Sequence, residues 1–527
     1  MKAKGQKRKG APPPVSGAGA YSRMLAGGVD LDAALVRPQP LAPPRTPPIG
    51  RAQVVPRPAR EETLPDGLDR KFLPVFVSRA ASALPRALWE TICRNIGGHA
   101  LDVVGQASAP VRITIGTACS GSEFYLTALP LLAKEIGARL RRPVLFDHRW
   151  SCEIDANKRQ WIVDNFAPPR LFADVTKLAQ GRCHDFVSGT LASVECVDLL
   201  IAGTSCKDAS RLNNQHVNRL NVVDTGSHST GETFKGLTQL VAAFGPRCRL
   251  VCLENVASLR DKDPRTGRSN LDGVVDAVRS LGLGFVSKTF SAQDTGLPVA
   301  RPRLYMAGVR CSCESTAQQV TDSVLSAITA RVRPVPLDSL LLTEAEPLIM
   351  MSRWMPEGLA REGGHVGDVM YPDWQLKHRA AWANIPPDVQ AHVLPRFTGN
   401  PWFRTLSPRQ RDLLLLASCQ DHMARKKALA IPLHSSLGWE KSSQASCLQT
   451  LVPKGVYWLV GRQRPLLGVE AVRLQGCDPV SLLGLVPGRH DNHFLHNLAG
   501  NAFCVYQFSI WLLAALAAGD LTSCGRL

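Results

Sequence analysis

Residues 111–310 predict an α/β protein built on a doubly wound, mostly parallel sheet. Three observations carry that reading. Short apolar runs recur at Val111–Ile115, Val144–Phe146, Leu171–Phe172, Val197–Ala202, Leu250–Leu253, Phe285–Phe290 and Leu304–Val309. They are β-rich and uninterrupted, as strands buried on both faces tend to be. Helical patterns alternate with them, which is the signature of crossover connections. In such a sheet, ligands bind beyond the carboxyl ends of the strands, so the chemistry is expected in the loops that follow these runs.

The remaining segments are read in chain order. Residues 1–65 are rich in Pro, Ala, Gly and Arg; Pro12-Pro13-Pro14 and the stretch Arg37 to Ile49 exclude a helix or central strand there. A disordered basic arm is expected, and Lys4 to Lys9 suits either nuclear import or phosphate binding. Residues 66–110 read as a helical lead-in, with Gly97-Gly98 closing the stretch Leu84 to Ile96. Residues 311–464 are irregular. Ser407-Pro408-Arg409-Gln410 predicts a capped helix start. Aromatics including Trp354, Tyr371, Trp374, Trp382, Trp402 and Phe403 stand among cations such as Arg425-Lys426-Lys427, a mixture that suits either nucleic acid or a small core. Residues 465–527 return to an apolar, helical pattern, as if rejoining the first domain.

Composition narrows the partners. Of 527 residues, 62 are Lys or Arg and 44 are Asp or Glu, a net charge of +18, which favours a polyanion. Fifteen cysteines occur without a CxxC pair, which points to reduced thiols and away from zinc ribbons. Phe508 to Ala518 is too short to cross a bilayer and reads as a core helix; no membrane role is expected. His490, His493 and His496 recur at helix-like spacing, but Asp491-Asn492 suggest a loop, and no metal site is expected.

Each strand-end loop holds specific residues. Gly116 to Glu123 follows the first run; small residues such as Gly121 let a ligand approach the backbone. Cys152-Glu153-Ile154-Asp155 follows the second, where an acid can accept both hydroxyls of a ribose. Ala173-Asp174-Val175 follows the third, with an acid placed for an adenine amino group or for a helix N-cap. Three such loops in strand order favour an adenosine cofactor. Gly203-Thr204-Ser205-Cys206-Lys207 follows the fourth, and a cysteine among small polar residues beside a lysine suits a thiolate nucleophile. Glu254-Asn255-Val256 ends the fifth, where a desolvated carboxyl can donate a proton to a ring nitrogen. Arg301 and Arg303 enter the last at i, i+2, a spacing that points both the same way on a strand.

In this order and spacing, the residues resemble the cytosine-C5 methyltransferases. Thr117 to Phe124, Cys152 to Asp155 and Ala173 to Val175 are similar to the family's first three motifs. Gly203 to Cys206 resembles its nucleophile loop, Gly231-Glu232-Thr233-Phe234 the helix-opening motif that follows, and Glu254-Asn255-Val256 its Glu-Asn-Val signature. Gly296 to Arg303, Arg464 to Gly476 and Gly500-Asn501-Ala502 resemble its later motifs. The resemblance covers about 111–310 and 450–515, and residues 311–450 stand where the family keeps its recognition domain.

The resemblance implies a Rossmann-like, class I S-adenosylmethionine-dependent methyltransferase with a smaller inserted target-recognition domain. It implies Cys206, Glu254, Arg301 and Arg303 as catalytic residues acting on a flipped cytosine of double-stranded DNA. It implies cofactor contacts from Cys119, Gly121, Glu153, Ile154, Asp174, Val175, Gly203, Thr233, Asn501 and Ala502. Several positions depart from the family pattern. Ser205 replaces proline, Lys207 glutamine, Cys119 an aromatic, Glu123 glycine and Val299 glutamine. Lys207 is expected to lower the Cys206 pKa. Two alternatives stay open: the same reaction on a transfer RNA, or a catalytically impaired relative that binds nucleic acid or chromatin. The basic arm suits a nuclear location, with an organellar one as the alternative.

Overall fold

The computed structural model describes residues 72–97, 110–119, 121–213, 215–343, 373–424, 429–435, 447–477 and 492–522. The arm at 1–65, Trp354, Tyr371, Arg425 to Lys427 and His490 lie outside the described residues.

Seven strands form the central sheet: β1 Val111–Ala118, β2 Val144–Cys152, β3 Leu171–Phe172, β4 Leu199–Ala202, β5 Leu250–Val256, β6 Gly284–Ser291 and β7 Pro302–Val309. Their spatial order is β3-β2-β1-β4-β5-β7-β6. β1 pairs in parallel with β2 and β4, and β4 with β5, while β7 runs antiparallel to β5 and β6. The chain therefore moves outward from β1 to β3 and then reverses to β4. The crevice beyond the ends of β1 and β4 is the topological switch point where such sheets bind ligands.

β2 extends well past its apolar run, through Asp147, His148 and Arg149. These polar residues are tolerated because they are paired. Asp147 meets Arg112 at 2.8 Å, and Arg149 meets Glu195 at 2.6 Å. A hairpin, Arg182–Asp185 with Thr190–Ser193, was not foreseen; its sequence signal is Ser188-Gly189, with Gly189 at φ 70°.

Apolar layers cover both faces of the sheet. Helices His228–Phe244 and Asn270–Ser280 pack on one. On the other lie Leu129–Leu140, Glu314–Thr329 and Val505–Ala518. Every residue of Val505–Ala518 is buried, so this apolar helix is core. Helices Phe72–Ala83 and Arg86–Gly97, for which the sequence suggested no role, close over it. Phe76 stacks on Tyr506 at 3.8 Å, and Asn95 Nδ2 donates to the carbonyls of Leu516 and Ala517.

A separate cluster gathers Ile385, Val389, Val393, Phe397, Leu414 and Trp458 beneath the helix Pro408–Met423. Ser407 and Gln410 form the reciprocal cap at its start. Trp382, Trp402 and Phe403 pack against this cluster, which gives these aromatics a structural role.

Candidate active site

The end of β4 supplies Gly203. A Cβ there would lie 2.6 Å from Phe503 Cε1 and 2.9 Å from the Cys119 carbonyl, so only glycine lets the chain leave the sheet at this point. The next residues are braced from two sides. Asn255 Nδ2 donates to Thr204 Oγ1 (2.9 Å) and to its carbonyl (3.1 Å). Ser205 N–H donates to Thr233 Oγ1 at 3.3 Å, and Ser205 Oγ accepts from Lys207 N–H at 3.4 Å. Ser205 thus closes a local turn where a proline would stiffen the chain covalently. Asp208, buried, accepts from Thr230 N–H at 2.8 Å and pairs with Arg219. These bonds fix the loop carrying Cys206 to the start of helix His228–Phe244. Neither Asn255 nor Asp208 was assigned a role from sequence, although Asn255 lies inside a motif that was recognised.

Cys206 is half-buried, and that burial pushes its thiol above the ordinary value. Arg303 opposes this most strongly, Glu254 adds to it, and Arg301 opposes it. Lys207 corrects an expectation: its side chain is exposed, and it is not among the charges that act on the thiol. Arg303 takes that part. Its Nε lies 3.1 Å from Glu254 Oε1. Burial raises the Glu254 carboxyl above its usual range, with Arg303 and then Arg301 opposing. Cys206, Glu254 and Arg303 therefore interact electrostatically at the ends of neighbouring strands β4, β5 and β7.

Arg301 requires a second correction. It is 2% exposed, and its guanidinium donates to the carbonyls of Leu451 (2.8 Å), Gly500 (3.1 Å) and Ala502 (2.7 Å). The two arginines do not share a strand, so their i, i+2 spacing does not point them the same way. Val299–Ala300 pairs separately with Leu448–Gln449, and β7 begins only at Pro302. Arg301 ties its own segment to those of Leu451 and Gly500–Ala502, so most of its terminal N–H donors are committed to backbone carbonyls. Burial lowers it to about 10, which leaves it charged at neutral pH.

On the other side of the switch point, Glu153 is buried. Its Oε2 accepts from Gly121 N–H (3.2 Å) and its Oε1 from Asp155 N–H (3.0 Å). Burial raises this carboxyl too. Ile154 beside it is 73% exposed, an apolar face next to a carboxylate. Cys119 stands at φ 54°, and burial, helped by Glu153 and Asp174, pushes its thiol up to about 12. Asp174 caps the helical turn Val175–Leu178: Oδ1 accepts from Thr176 N–H and Oγ1. Val175 is core. Thr233, expected at the cofactor, instead commits its hydroxyl to Ser205 N–H and Ser229 O. Asn501 bonds back to Asn497, and its carbonyl abuts Gly121; Ala502 is buried behind it.

Among the described residues no group of three His, Cys, Asp or Glu could hold a metal ion. His496 is buried, bonded to the Leu466 carbonyl at 2.9 Å, and lowered to about 4 by burial.

A switch-point crevice, a glycine cradle, a buried acid with an exposed isoleucine, and a thiol near a carboxyl–guanidinium pair define the class: a Rossmann-like α/β protein with polar and thiol groups gathered at the switch point of its sheet. The comparisons agree in kind. Residues 133–339 match the family model described as C-5 cytosine-specific DNA methylase. The chain is 30% identical over 434 residues to the DNA (cytosine-5-)-methyltransferase DMT5 of Cryptococcus neoformans var. grubii, covering 77% of this chain and 17% of that protein. It is 26% identical over 467 residues to DMT5 of Verticillium dahliae, covering 76% of this chain and 19% of that protein. The chain thus spans under a fifth of the length of these relatives. It is also similar to solved structures of the Schizosaccharomyces pombe Dnmt2 methyltransferase (14% identity, TM-score 0.34, 77% of this chain and 98% of that one) and of Entamoeba histolytica EhMeth (9%, 0.40, 77% and 98%). Over these stretches the chain is similar to cytosine-C5 methyltransferases, at modest identity.

Proposed function

We propose that this chain methylates C5 of cytosine in DNA, with S-adenosylmethionine as methyl donor and Cys206 as nucleophile. The observation that carries the reading is the convergence of Cys206, Glu254 and Arg303 at one end of β4, β5 and β7. The cofactor residues fit the donor. Glu153 offers a fixed carboxylate to a ribose, Ile154 an apolar face to an adenine, and Gly203 keeps the backbone clear of side-chain bulk. When bound, S-adenosylmethionine supplies an electrophilic methyl group.

The chain's own residues do the rest. Cytosine C5 is a poor nucleophile. Cys206, as thiolate, would add to C6 and form a C–S bond, and the ring electrons would shift to make C5 an enamine carbon able to accept a methyl from a bound donor, whose sulfur would keep the electron pair of the broken S–CH3 bond. Glu254, with its raised pKa, carries a proton near neutral pH more readily than an ordinary carboxyl and donates it to N3 as charge develops. Arg303 holds the Glu254 carboxyl and stabilises the thiolate. A base would then take the C5 proton, the electrons of that bond would re-form C5=C6 and expel the Cys206 thiolate, and the N3 proton would return to Glu254. These atoms are inaccessible within a duplex, so the target base is flipped out. The basic composition and the arm at 1–65 support a nuclear setting with DNA as partner.

The test uses oligonucleotides carrying 5-fluorocytosine, whose C5 fluorine cannot leave as a proton does, so the adduct accumulates. With S-adenosylmethionine present, duplex DNA is expected to give a covalent complex that Cys206→Ser abolishes. An adduct on RNA alone would replace DNA as substrate. Binding without any adduct would leave a nucleic-acid-binding relative.

A further inference from the structure

We infer that Glu123 is a positioning residue for the cofactor: a buried clamp that locks the loop after β1 against the ends of β1 and β2. The inference rests on the cofactor reading proposed above. Glu123 is 0% exposed and stands at φ 56°, a left-handed backbone that glycine adopts freely and other residues do not. Its carboxylate joins two hydroxyls: Thr117 Oγ1 donates to Oε1, and Ser151 Oγ donates to Oε2 at 3.0 Å.

Thr117 and Ser151 are register partners across β1 and β2. Both are fully buried, and their hydroxyls lie 3.1 Å apart. They sit at the strand ends that lead into Cys119 and Glu153. His148 Nε2 completes the cluster, 3.1 Å from Ser151 Oγ and 3.5 Å from Thr117 Oγ1. Burial lowers His148 to about 4, so it is neutral here. A buried carboxyl hydrogen-bonded to both strands is a firm tether, because any of these polar groups left unpaired here would be costly.

The tether bears on the neighbouring residues. The Ser122 carbonyl accepts from Trp161 Nε1 at 3.0 Å, and Gly121 N–H is held on Glu153 Oε2. The loop is thus pinned at three successive residues. With Gly121 fixed, the second bond, from Asp155 N–H, sets the rotation of the Glu153 carboxylate. Glu123 therefore acts at one remove, through the loop, on the acid read as the ribose ligand.

Calorimetry of S-adenosylhomocysteine binding to the full chain tests this, beside steady-state kinetics and DNA affinity. Glu123→Ala, Glu123→Gly and the pair Thr117→Val with Ser151→Ala should each weaken binding by roughly tenfold to a hundredfold, the range for breaking hydrogen bonds among buried polar groups. KM for S-adenosylmethionine should rise far more than kcat falls, and DNA affinity should hold. Glu123→Gln, which keeps an acceptor oxygen, should stay within about threefold of wild type. Glu123→Gly binding as tightly as wild type would overturn the clamp, because only the backbone conformation would then matter. Parallel loss of cofactor and DNA affinity would overturn it as well, by making Glu123 a general folding residue. A wild-type chain that binds no S-adenosylhomocysteine overturns the cofactor reading and this inference together. Wild-type binding that every variant keeps overturns this inference alone.

Discussion

Replacing Arg301 with methionine tests whether this arginine organises the fold or touches the substrate. The guanidinium donates three hydrogen bonds, to Leu451, Gly500 and Ala502, all buried residues. A bond to a charged group contributes about 1.5–3 kcal/mol, and a buried acceptor left without a donor costs about 1–3 kcal/mol. Removing the buried charge itself recovers part of that loss, because its desolvation penalty disappears. Methionine keeps much of the volume, so cavity terms are small. The net expectation is a loss of about 3–5 kcal/mol, the range for breaking a buried charged network. That is a large fraction of a typical total stability of about 5–15 kcal/mol. Urea unfolding followed by tryptophan fluorescence should show a midpoint well below wild type. Arg303→Met should cost less stability, because Glu254 can take up a proton once its partner is gone, while losing adduct formation. The reasoning fails if Arg301→Met unfolds at the wild-type midpoint yet forms no adduct, since Arg301 would then be working on the base.

The remaining predictions concern the nucleophile and its loop. Cys206 is raised by burial, so at neutral pH it is mostly thiol; its alkylation rate, followed by peptide mass spectrometry, should climb with pH to a midpoint above about 8.5, the free-thiol value. Arg303 is the strongest opposing charge, so Arg303→Met should move that midpoint higher, and an unmoved midpoint would contradict the assignment. Lys207→Ala should leave the alkylation profile where it is, and a shift would restore Lys207 as the activating cation. Gly203→Ala places a methyl 2.6 Å from Phe503 Cε1 and should cost about 1–3 kcal/mol of stability in thermal unfolding, as overpacking does.

Much of the frame was legible because a buried parallel sheet demands unbroken apolar strands. Each of the seven runs overlaps a strand of the central sheet; Glu153 and Cys206 follow the strand ends and Glu254 sits near the end of β5, because strand ends are where side chains leave the sheet for the crevice. The long β2 was harder to see, since Asp147 and Arg149 interrupt hydrophobicity and are accommodated only by Arg112 and Glu195, distant in sequence.

The sequence by itself determined the order of the chemistry: a small-residue loop, two acids, a cysteine and a carboxyl at the ends of β1 to β5, and an arginine on β7. Only the tertiary structure decided which charge faces which. Lys207 is one residue from Cys206 yet points to solvent, while Arg303, almost a hundred residues on, acts on the thiol because β7 lies against β5. Arg301 and Arg303 look equivalent in sequence. A break between two pairings separates them, giving one to the carbonyls of distant segments and the other to Glu254. Neighbourhood along the chain fixes a residue's position within a strand or loop, but electrostatic partnership depends on distance through the fold, which strand order sets.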